Sequence, residues 1–305
     1  MSAPSPEVSV IVPTFNRVAL LPESIASVCA QSGIEWELIV VDDASTDATP
    51  GFLATLTEAR CRTLRNATRG DRSGACNLGL RHARGEFVMF HDDDDLLRPG
   101  ALARLVAALR RHPQAVAAVG GRWDWFCDGR GGGRRDSHPF VPRVRDVYDD
   151  LLFGWSAGSG QNIYRTERVR QIGGFDATHH LVEDRDFWLR IAPTGPVVIR
   201  PEIVMTCRVH PGQWKPADIQ RRRERVFRAA IRRLPRGQRR RALRIRKCSR
   251  AILAAETALA DGRFSYAVGE VFRATLVWPG VWWSPLLGPW VARRLARRVW
   301  HRLRG

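Results

Sequence analysis

The sequence has few cysteines, and they form no metal-binding or disulfide-scaffold pattern. Its six cysteines, in a chain of 305 residues, are scattered at positions 29, 61, 76, 127, 207 and 248, with no CxxC and no CxH pair. This scatter argues against a zinc ribbon and a secreted disulfide scaffold, and it favours a reducing compartment. The first ten residues also lack the basic and then apolar order of a signal peptide, so we expect the start of the chain to lie in the cytoplasm.

Phosphate-binding loops of two common kinds are missing as well. The sequence has no Walker A lysine loop and no GxGxxG stretch, so the P-loop and dinucleotide-binding classes lose support. An ordinary composition, with 44% hydrophobic and 26% charged residues, excludes wholesale disorder. A length of 305 residues suggests about two domains.

Acidic residues are scarce in one part of the chain only. Residues 221–305 hold 23 Lys and Arg against 4 Asp and Glu, whereas residues 1–220 hold 26 against 27. The formal net charge of +18 therefore belongs to a basic tail that follows a nearly neutral domain. We predict a boundary near Asp218, with one domain at 7–217 and an Arg-rich helical tail at 218–305.

Apolar runs alternate with helix-like segments through the first 110 residues. The runs predict strands at 8–12, 37–41, 62–65 and 87–90, and the segments between and after them predict helices. This alternation is typical of the α/β class, here a doubly wound, mostly parallel sheet with helices on both faces. Further along we predict a mobile loop at 128–135, helices at about 166–172 and 183–191, and strands at 197–199 and 203–209.

Three of the four predicted strands end in polar side chains that can bind ligands. These residues are Thr14 and Asn16, then Asp42 and Asp43, then Asp92 to Asp95. Ligands of doubly wound sheets bind beyond the carboxyl ends of the strands, so we expect the three groups to form one site. Asp92 and Asp94 project from the same side of an extended segment, and such carboxylates suit Mg²⁺ or Mn²⁺ bound together with substrate phosphates. A solvated acidic surface is the structural alternative.

Two further groups carry candidate chemistry. Glu183 and Asp184 stand where a helix should begin, so they fit helix capping, and they fit equally a carboxylate kept ionised by the helix dipole as a general base. His210 follows a strand-like run and precedes a Pro-Gly turn. It is either a structural or surface histidine or a ligand near the acidic site.

Five segments, taken in their order and spacing, resemble the inverting family-2 glycosyltransferases with the GT-A fold. The segments are VSVIVPTFNR, ELIVVDDASTDAT, GEFVMFHDDDDLLRPGAL, GGFD and VEDRDFWLR, and together they cover about residues 7–215. The resemblance assigns nucleotide-sugar contacts to Pro13, Thr14, Asn16, Arg17, Asp43, Asp92 and Asp93. In that family the carboxylate at the position of Asp43 contacts the base, and the one at the position of Asp92 faces the ribose or sugar.

The resemblance also implies a metal site and a catalytic base. Asp94 and His210 would bind the divalent metal, Mg²⁺ or Mn²⁺, and Asp184, beside Glu183, would take a proton from the acceptor hydroxyl. Many members carry an Arg-Asn pair where this chain has Cys76-Asn77, so the basic contact to the donor must come from elsewhere, with Arg69 and Arg72 as candidates. The implied reaction is a single displacement at the anomeric carbon of a nucleotide sugar, in the synthesis of a cell-envelope or surface glycan. The acceptor, a glycan or a lipid-linked sugar, is left open.

The basic tail suggests a membrane surface as a further partner. Residues 274–292 carry no charge and four tryptophans, which suit a bilayer interface, but three prolines interrupt them. One face of the last segment carries apolar residues and the other carries arginines, as in an amphipathic helix lying on a membrane; the apolar residues are Val291, Leu295, Val299, Trp300 and Leu303. We therefore predict that residues 274–305 hold the protein at the cytoplasmic face of an anionic membrane. The alternative is a helical cap packed on the catalytic domain.

Two other classes of protein compete with the transferase. The first is a non-catalytic protein that binds membrane or nucleic acid on a degenerate transferase core, but the intact acidic motifs and His210 count against it. We expect no nucleic-acid partner, since the basic tail has no recognition-helix or base-stacking motif. The second is a nucleotidyltransferase, which would be expected to show a Gly-rich basic loop after the first strand, and residues 13–17 are not one.

Overall fold

The computed structural model describes residues 5–127, 131–135, 143–210, 217–283, 291–292 and 295–296. The chain divides into two compact units. The first comprises Met1–Asp136, Val141–Asp146 and Ala157–Val226, and the second comprises Ser137–Phe140, Val147–Ser156 and Phe227–Gly305. Each unit has its own hydrophobic cluster.

Ten strands within the described residues form one sheet in the first unit. They are β1 (Val8–Thr14), β2 (Trp36–Asp42), β3 (Cys61–Arg65), β4 (Phe87–Phe90), β5 (Leu96–Leu97), β6 (Ala117–Phe126), β7 (Gly131–Arg135), β8 (Arg143–Arg145), β9 (Asn162–Arg165) and β10 (Val197–Val209). Their order is β3-β2-β1-β4-β9-β6-β10-β5, with β7 beside β6 and β8 beside β10. The predicted α/β class with a mostly parallel sheet is confirmed, with short antiparallel strands added to it.

The described helices are as follows: α1 (Leu21–Cys29), α2 (Thr49–Ala54), α3 (Arg72–His82), α4 (Ala101–Arg111), α5 (Tyr148–Phe153), α6 (Thr166–Gln171), α7 (Glu183–Ile191), α8 (Ile219–Arg233), α9 (Arg236–Ala260), α10 (Phe264–Val277) and α11 (Gly280–Trp283). The glycine pair after α6 closes it as predicted, because Gly173 and Gly174 adopt positive φ and their N–H groups reach back into the helix. None of the described helices is both long and apolar enough to cross a bilayer.

The register of the central strands places their ends side by side. All seven residues of β1 are buried, and β1 pairs in parallel with β2 from Val8↔Trp36 to Thr14↔Asp42. On its other side, β1 pairs with β4 as far as Ile11↔Phe90. Because β4 stops three residues earlier than β1, the acidic run that follows Phe90 lies beside the last residues of β1. Apolar strands that are buried on both faces thus deliver their polar ends to one edge of the sheet.

Two sequence predictions for the second half of the sheet need correction. Gly131–Arg135 is not a mobile loop but the strand β7, which pairs antiparallel with β6; residues 128–130 lie outside the described part. The two strands predicted at 197–199 and 203–209 are one strand, β10, whose register shifts beyond Ile199. Strand β6 escaped prediction because its sequence, AAVGGRWDWF, has glycines and charges in place of an apolar run.

The second unit is built around a helical hairpin of α9 and α10. Gly262 turns the chain with φ of 77°, and small side chains at Ala255, Ala258 and Ala267 allow the two helices to pack closely. Helix α5 joins them through Arg246, which donates to the carbonyl of Leu152 at 2.8 Å. The guanidinium also lies 3.6 Å from the ring centre of Phe227, so a buried arginine fastens this unit internally.

The predicted membrane-facing surface of the last segment also needs correction. Val291 is fully buried, and Leu295 packs against the cluster of α9 and α10. Val291 is thus covered by protein, and Leu295 packs on the apolar surface of the hairpin. The other residues of that predicted face, Val299, Trp300 and Leu303, lie outside the described residues, as do residues 284–290 and most of the chain after 292.

Candidate active site

The ends of β1, β2 and β4 meet in a hydrogen-bonded group. Thr14 Oγ1 donates to Asp93 Oδ2 at 2.7 Å, and the Thr14 carbonyl accepts from the backbone N–H of Asp43 at 2.9 Å. Thr14 and Asp93 are both buried. Burial raises the pKa of Asp93 to about 7, and the Thr14 hydrogen bond and the charge of Arg17 oppose that rise. Thr14 and Asp93 therefore hold the ends of β1 and β4 together from inside the protein.

The loop after β1 is tied to the loop after β2. Asn16 has φ of 53°, a left-handed conformation that asparagine tolerates. Its Oδ1 accepts from the N–H of Thr46 at 2.8 Å, while its own N–H donates to Ser45 Oγ at 2.9 Å. Arg17 is half-buried next to it, and Pro13 is buried at the strand end. These contacts give the predicted nucleotide-binding segment a fixed shape.

The carboxylate assigned to the nucleotide base is buried and accepts two hydrogen bonds. Asp43 Oδ1 accepts from Asn66 Nδ2 at 2.6 Å and from the N–H of Gly70 at 3.0 Å. Nearby, the guanidinium of Arg69 stacks over the ring of Phe15 at 4.1 Å. Arg69, one of the two basic candidates, thus belongs to this side of the site. The neighbouring Asp42 is used internally, since Arg65 donates to it at 2.8 Å.

The four consecutive aspartates divide into two pairs of different use. Asp93 and Asp95 point inward, and Asp95 accepts from the backbone N–H of Arg208 at 3.0 Å. Burial, together with the charges of Asp92 and Asp94, raises the pKa of Asp95. Asp92 and Asp94 remain partly exposed. Asp92 and Asp94, the pair that the sequence placed on one side of an extended segment, are therefore the two carboxylates left to face a ligand.

Asp94 lies against the histidine that follows β10. His210 Nε2 is 3.1 Å from Asp94 Oδ2, and both side chains are slightly exposed. Two atoms bound at right angles to one small divalent cation, each at about 2.1 Å, would be about 3 Å apart, so this pair fits such an ion. An imidazole nitrogen and a carboxylate oxygen are also a donor set that a first-row divalent metal accepts. This pair could therefore supply two ligands to a divalent metal.

Arg72 connects the acidic run with the acidic helix start. Its Nε and NH2 groups donate to Asp92 Oδ1 at 3.0 and 2.8 Å, and another NH2 contact reaches Ser159 Oγ. On the other side, its NH1 lies 3.9 Å from Glu183 Oε1. Cys76, one helical turn further along α3, is fully buried, and burial raises the pKa of its thiol to about 12. Of the two basic candidates, Arg72 is therefore the one beside Asp92.

Helix α7 begins with the predicted acidic pair. Glu183 is buried, which raises the pKa of its carboxyl, while Arg72 opposes that rise. Asp184 is partly exposed, and its Oδ1 accepts from the N–H of Arg185 at 2.7 Å, so it also contributes to the helix start. The two interpretations of this pair, helix capping and a reactive carboxylate, are thus compatible in space.

Asp184 also lines a small pocket with mainly aromatic walls. The pocket is lined by Phe90, Ala157, Ser159, Asn162, Tyr164, Phe175, Asp184, Phe187 and Trp188. Phe175 and Phe187 stack with their ring centres 4.5 Å apart. Asn162 Oδ1 has no hydrogen-bond partner among the described residues although it is buried. Sequence reasoning missed this pocket, because its aromatic residues come from four separate segments that look like ordinary core.

A further acidic cluster lies beside the same helix, which contributes one of its three residues. Asp176, His179 and Asp186 bring one potential ligand atom each within 4.8 Å of one another. However, Arg190 Nε donates to Asp186 Oδ2 at 2.6 Å and neutralises its buried charge. Arg190 also donates to the carbonyl of Gly174 at 2.7 Å. The i,i+4 spacing of Asp186 and Arg190 fits an internal ion pair that fastens α7 to the glycine turn.

The comparisons with known proteins agree with this fold. The family described as "Glycosyl transferase family 2" matches residues 9–173, more than half of the chain, so the chain belongs to glycosyl transferase family 2. Among curated relatives, the "GalNAc(5)-diNAcBac-PP-undecaprenol beta-1,3-glucosyltransferase" of Campylobacter jejuni is 43% identical over 104 residues, 33% of this chain and 34% of that protein. The chain spans only 20%, 65% and 29% of three other curated relatives that it matches.

Two solved structures share the fold over nearly the whole chain. One is S. aureus TarS 1-349 in complex with UDP-GlcNAc, with a TM-score of 0.67, 18% identity, and coverage of 96% of this chain and 89% of that one. The other is the mannosyltransferase PcManGT from Pyrobaculum calidifontis in complex with GDP-Man and Mn²⁺, with a TM-score of 0.56, 22% identity, and coverage of 97% and 88%. The expected family and GT-A type of fold are confirmed.

Proposed function

We propose that this chain transfers a sugar from a nucleotide-sugar donor to an acceptor hydroxyl, with inversion at the anomeric carbon, in the synthesis of a cell-envelope or surface glycan. The observation that carries the proposal is a continuous series of contacts across the sheet edge. It runs from Asp43 through the Thr14 carbonyl, then from Thr14 to Asp93, and from the neighbouring Asp92 through Arg72 to Glu183. The next residue along is Asp184.

The donor nucleotide would lie along the ends of β1 and β2. Asp43 would accept a hydrogen bond from the base, since its second oxygen is left when Asn66 and Gly70 both donate to Oδ1. The segment from Pro13 to Arg17 would contact the ribose and diphosphate, with Asn16 holding its shape and Arg17 adding positive charge. Asp92 would accept from hydroxyls of the ribose or sugar, with Arg72 keeping that carboxylate in place.

Asp94 and His210 would hold a divalent metal, Mg²⁺ or Mn²⁺, between the protein and the diphosphate. The bound ion would supply Lewis-acid stabilisation of the negative charge that collects on the departing diphosphate. Mn²⁺ is present in the PcManGT complex, which supports a divalent ion at such a site in this fold. The short distance between Asp94 and His210 supports the same pair here.

Asp184 would act as the general base. It would remove the proton of the acceptor hydroxyl while that oxygen forms a bond to the anomeric carbon and the bond from this carbon to the diphosphate oxygen breaks. One displacement inverts the configuration at that carbon. Asp184 suits this task because it is partly exposed at the aromatic pocket, whereas Glu183 is buried against Arg72 and would position the helix start.

The acceptor would be a glycan or a lipid-linked sugar presented at the cytoplasmic face of a membrane. The name of the Campylobacter jejuni relative contains PP-undecaprenol, which is a lipid-linked group. The excess of positive charge in residues 221–305 would attract anionic headgroups, each cation contributing about 1 kcal/mol near the surface. Residues 7–217 would carry the reaction, and the tail would bring them to the membrane.

The substitution Asp184→Asn tests the proposal. It keeps the size of the side chain and its acceptor oxygen but removes the base, so sugar transfer from a panel of nucleotide sugars with Mn²⁺ should fall by about 10²–10⁴-fold. Donor binding, measured by calorimetry, should stay within twofold of the wild-type value. Glu167→Gln, an exposed carboxylate on α6, is the matched control and should keep full activity.

Two results would count against the proposal. If Asp184→Asn kept near-normal turnover, the base would have to be another group. If the wild-type protein neither transferred nor hydrolysed any donor in the panel, a non-catalytic protein on a transferase fold would be the better conclusion.

A further inference from the structure

The outer surface of α10 carries a row of exposed apolar side chains, here called the α10 stripe. Phe264, Val268, Phe272 and Leu276 recur every fourth residue, with exposed fractions of 44%, 69%, 64% and 68%. At 1.5 Å of rise per residue the stripe is about 18 Å long. Isolated exposed apolar residues are common in proteins, but a continuous row of large ones is typical of a surface that contacts a partner.

The stripe is not the face that α10 uses for its own packing. Ala267, Glu270 and Ala274 are the buried residues of α10, and α9 lies against the helix. Glu270 is neutralised there by Arg273 at 3.0 Å. Since Glu270 is the only acidic residue of α10 and is buried, the exposed surface of this helix carries apolar groups and no carboxylate.

The rest of the hairpin is strongly basic on its exposed surface. The exposed cations of α9 are Arg236, Arg240, Arg241, Arg244, Lys247 and Arg250. Arg241 is paired with Asp149, and the one acidic residue of α9, Glu256, is buried. A hairpin that exposes both a row of apolar side chains and several cations matches an anionic bilayer, whose headgroups attract the cations while the acyl region accepts apolar side chains.

The same features argue against two other partners. A second copy of the chain would bring an equally basic hairpin towards this one, so like charges would repel. A nucleic acid would satisfy the cations but offers little that matches a row of two phenylalanines, a valine and a leucine along one side of a helix. Of these three partners, only the anionic bilayer matches both the positive charge and the apolar row of the hairpin.

We propose that the α9–α10 hairpin binds a bilayer that contains anionic phospholipid, with the α10 stripe inserted at the level of the headgroups. The proposal builds on the membrane partner of the proposed function and changes where the contact lies. The contact begins at Phe264, ahead of the segment 274–305 that the sequence suggested, and it leaves Val291 buried and Leu295 packed against the hairpin.

Flotation of the full-length protein with vesicles tests this assignment. The vesicles are equimolar phosphatidylglycerol and phosphatidylcholine, compared with phosphatidylcholine alone. The wild type should partition preferentially to the anionic vesicles, and less so at high salt. The double variant Val268→Ser/Phe272→Ser should bind them about tenfold or more weakly, because it loses two inserted apolar groups. The control Val144→Ser, an exposed apolar residue of the first unit, should bind as the wild type does.

Several outcomes would overturn the inference. Equal partition of the double variant and the wild type would show that the stripe is not inserted. A wild-type dimer that the double variant loses, with vesicle binding unchanged, would assign the stripe to a second copy. A lowered melting temperature of the double variant with unchanged vesicle binding would assign it to another segment of this chain. Transfer to a water-soluble acceptor without vesicles tests the enzyme separately, so a protein that floats but does not transfer sugar would refute the proposed function alone.

Discussion

Removal of the Arg72 guanidinium should uncouple the donor side of the site from the helix that carries the proposed base. In Arg72→Met the stem of the side chain remains, but Asp92 loses two charge-assisted hydrogen bonds at 3.0 and 2.8 Å, and Glu183 loses a cation 3.9 Å away. Hydrogen bonds to a charged group contribute about 1.5–3 kcal/mol. Because the side chains of Arg72 and Asp92 are 26% and 34% exposed, solvent screens the pair, and we take a value near the lower end, about 2 kcal/mol.

That free energy converts into a measurable shift. For a unit of about 200 residues, about 2 kcal/mol corresponds to a melting temperature lowered by about 4–8 °C. The KM for the donor should rise as well, since Asp92 is no longer held in place. Thermal unfolding and initial rates at varied donor concentration measure the two effects. Arg168→Met, on the surface of α6, is the control and should change neither.

A double-mutant cycle separates the ion pair from general damage. Arg72→Met, Asp92→Asn and the double variant should show coupling, with the double variant losing clearly less stability than the two single losses together. If the losses of stability were additive, or if a single variant melted within 1 °C of the wild type, the ion pair of Arg72 and Asp92 would contribute nothing to stability.

Three further predictions follow from individual contacts. Burial raises the pKa of the Glu183 carboxyl, so its ionisation at high pH lowers the stability of the folded state. Glu183→Gln should therefore have a higher melting temperature than the wild type at pH 8. Thermal melts should show this difference shrinking towards pH 5, as the wild-type carboxyl becomes protonated. Gly79→Ala would place a Cβ 2.5 Å from Ile11 Cγ2 between α3 and β1, so unfolding in urea should show a loss of about 1–3 kcal/mol, whereas Gly51→Ala, with open space around it, should be neutral or stabilising. Asp94→Asn should weaken Mn²⁺ binding by about tenfold or more in calorimetry with UDP present, and an unchanged affinity would place the metal elsewhere.

The division of the chain by charge bears on how the protein would work at a membrane. The first 220 residues are nearly neutral, so the number of arginines in the tail can change without altering the charge around the acidic groups of the site. In the second unit, Arg246 shows that some of these arginines have structural tasks, because it is buried between Phe227 and the carbonyl of Leu152. Counting tail arginines therefore overestimates the charge that is available to lipid.

Much of the first unit could be predicted from short stretches of sequence. The strands β1, β2 and β4 are continuous apolar runs, which fold as buried parallel strands wherever helices cover both faces. Their polar ends then come together because the carboxyl ends of adjacent parallel strands lie at the same edge of the sheet. The strand β6 gave no such local signal, because glycines and charges interrupt its apolar residues, and the antiparallel strand β9 is only four residues long.

The sequence by itself determined which elements form the site and which carboxylates and bases reach the edge of the sheet, because periodicity and strand ends are local properties. Only the tertiary structure decided that Asp93 and Asp95 turn inward, that Arg72 stands between Asp92 and Glu183, and that the apolar side of α10 faces outward. Each of these depends on which distant segment packs against the residue, and a helix with apolar groups on two sides does not reveal in its own sequence which side will be covered.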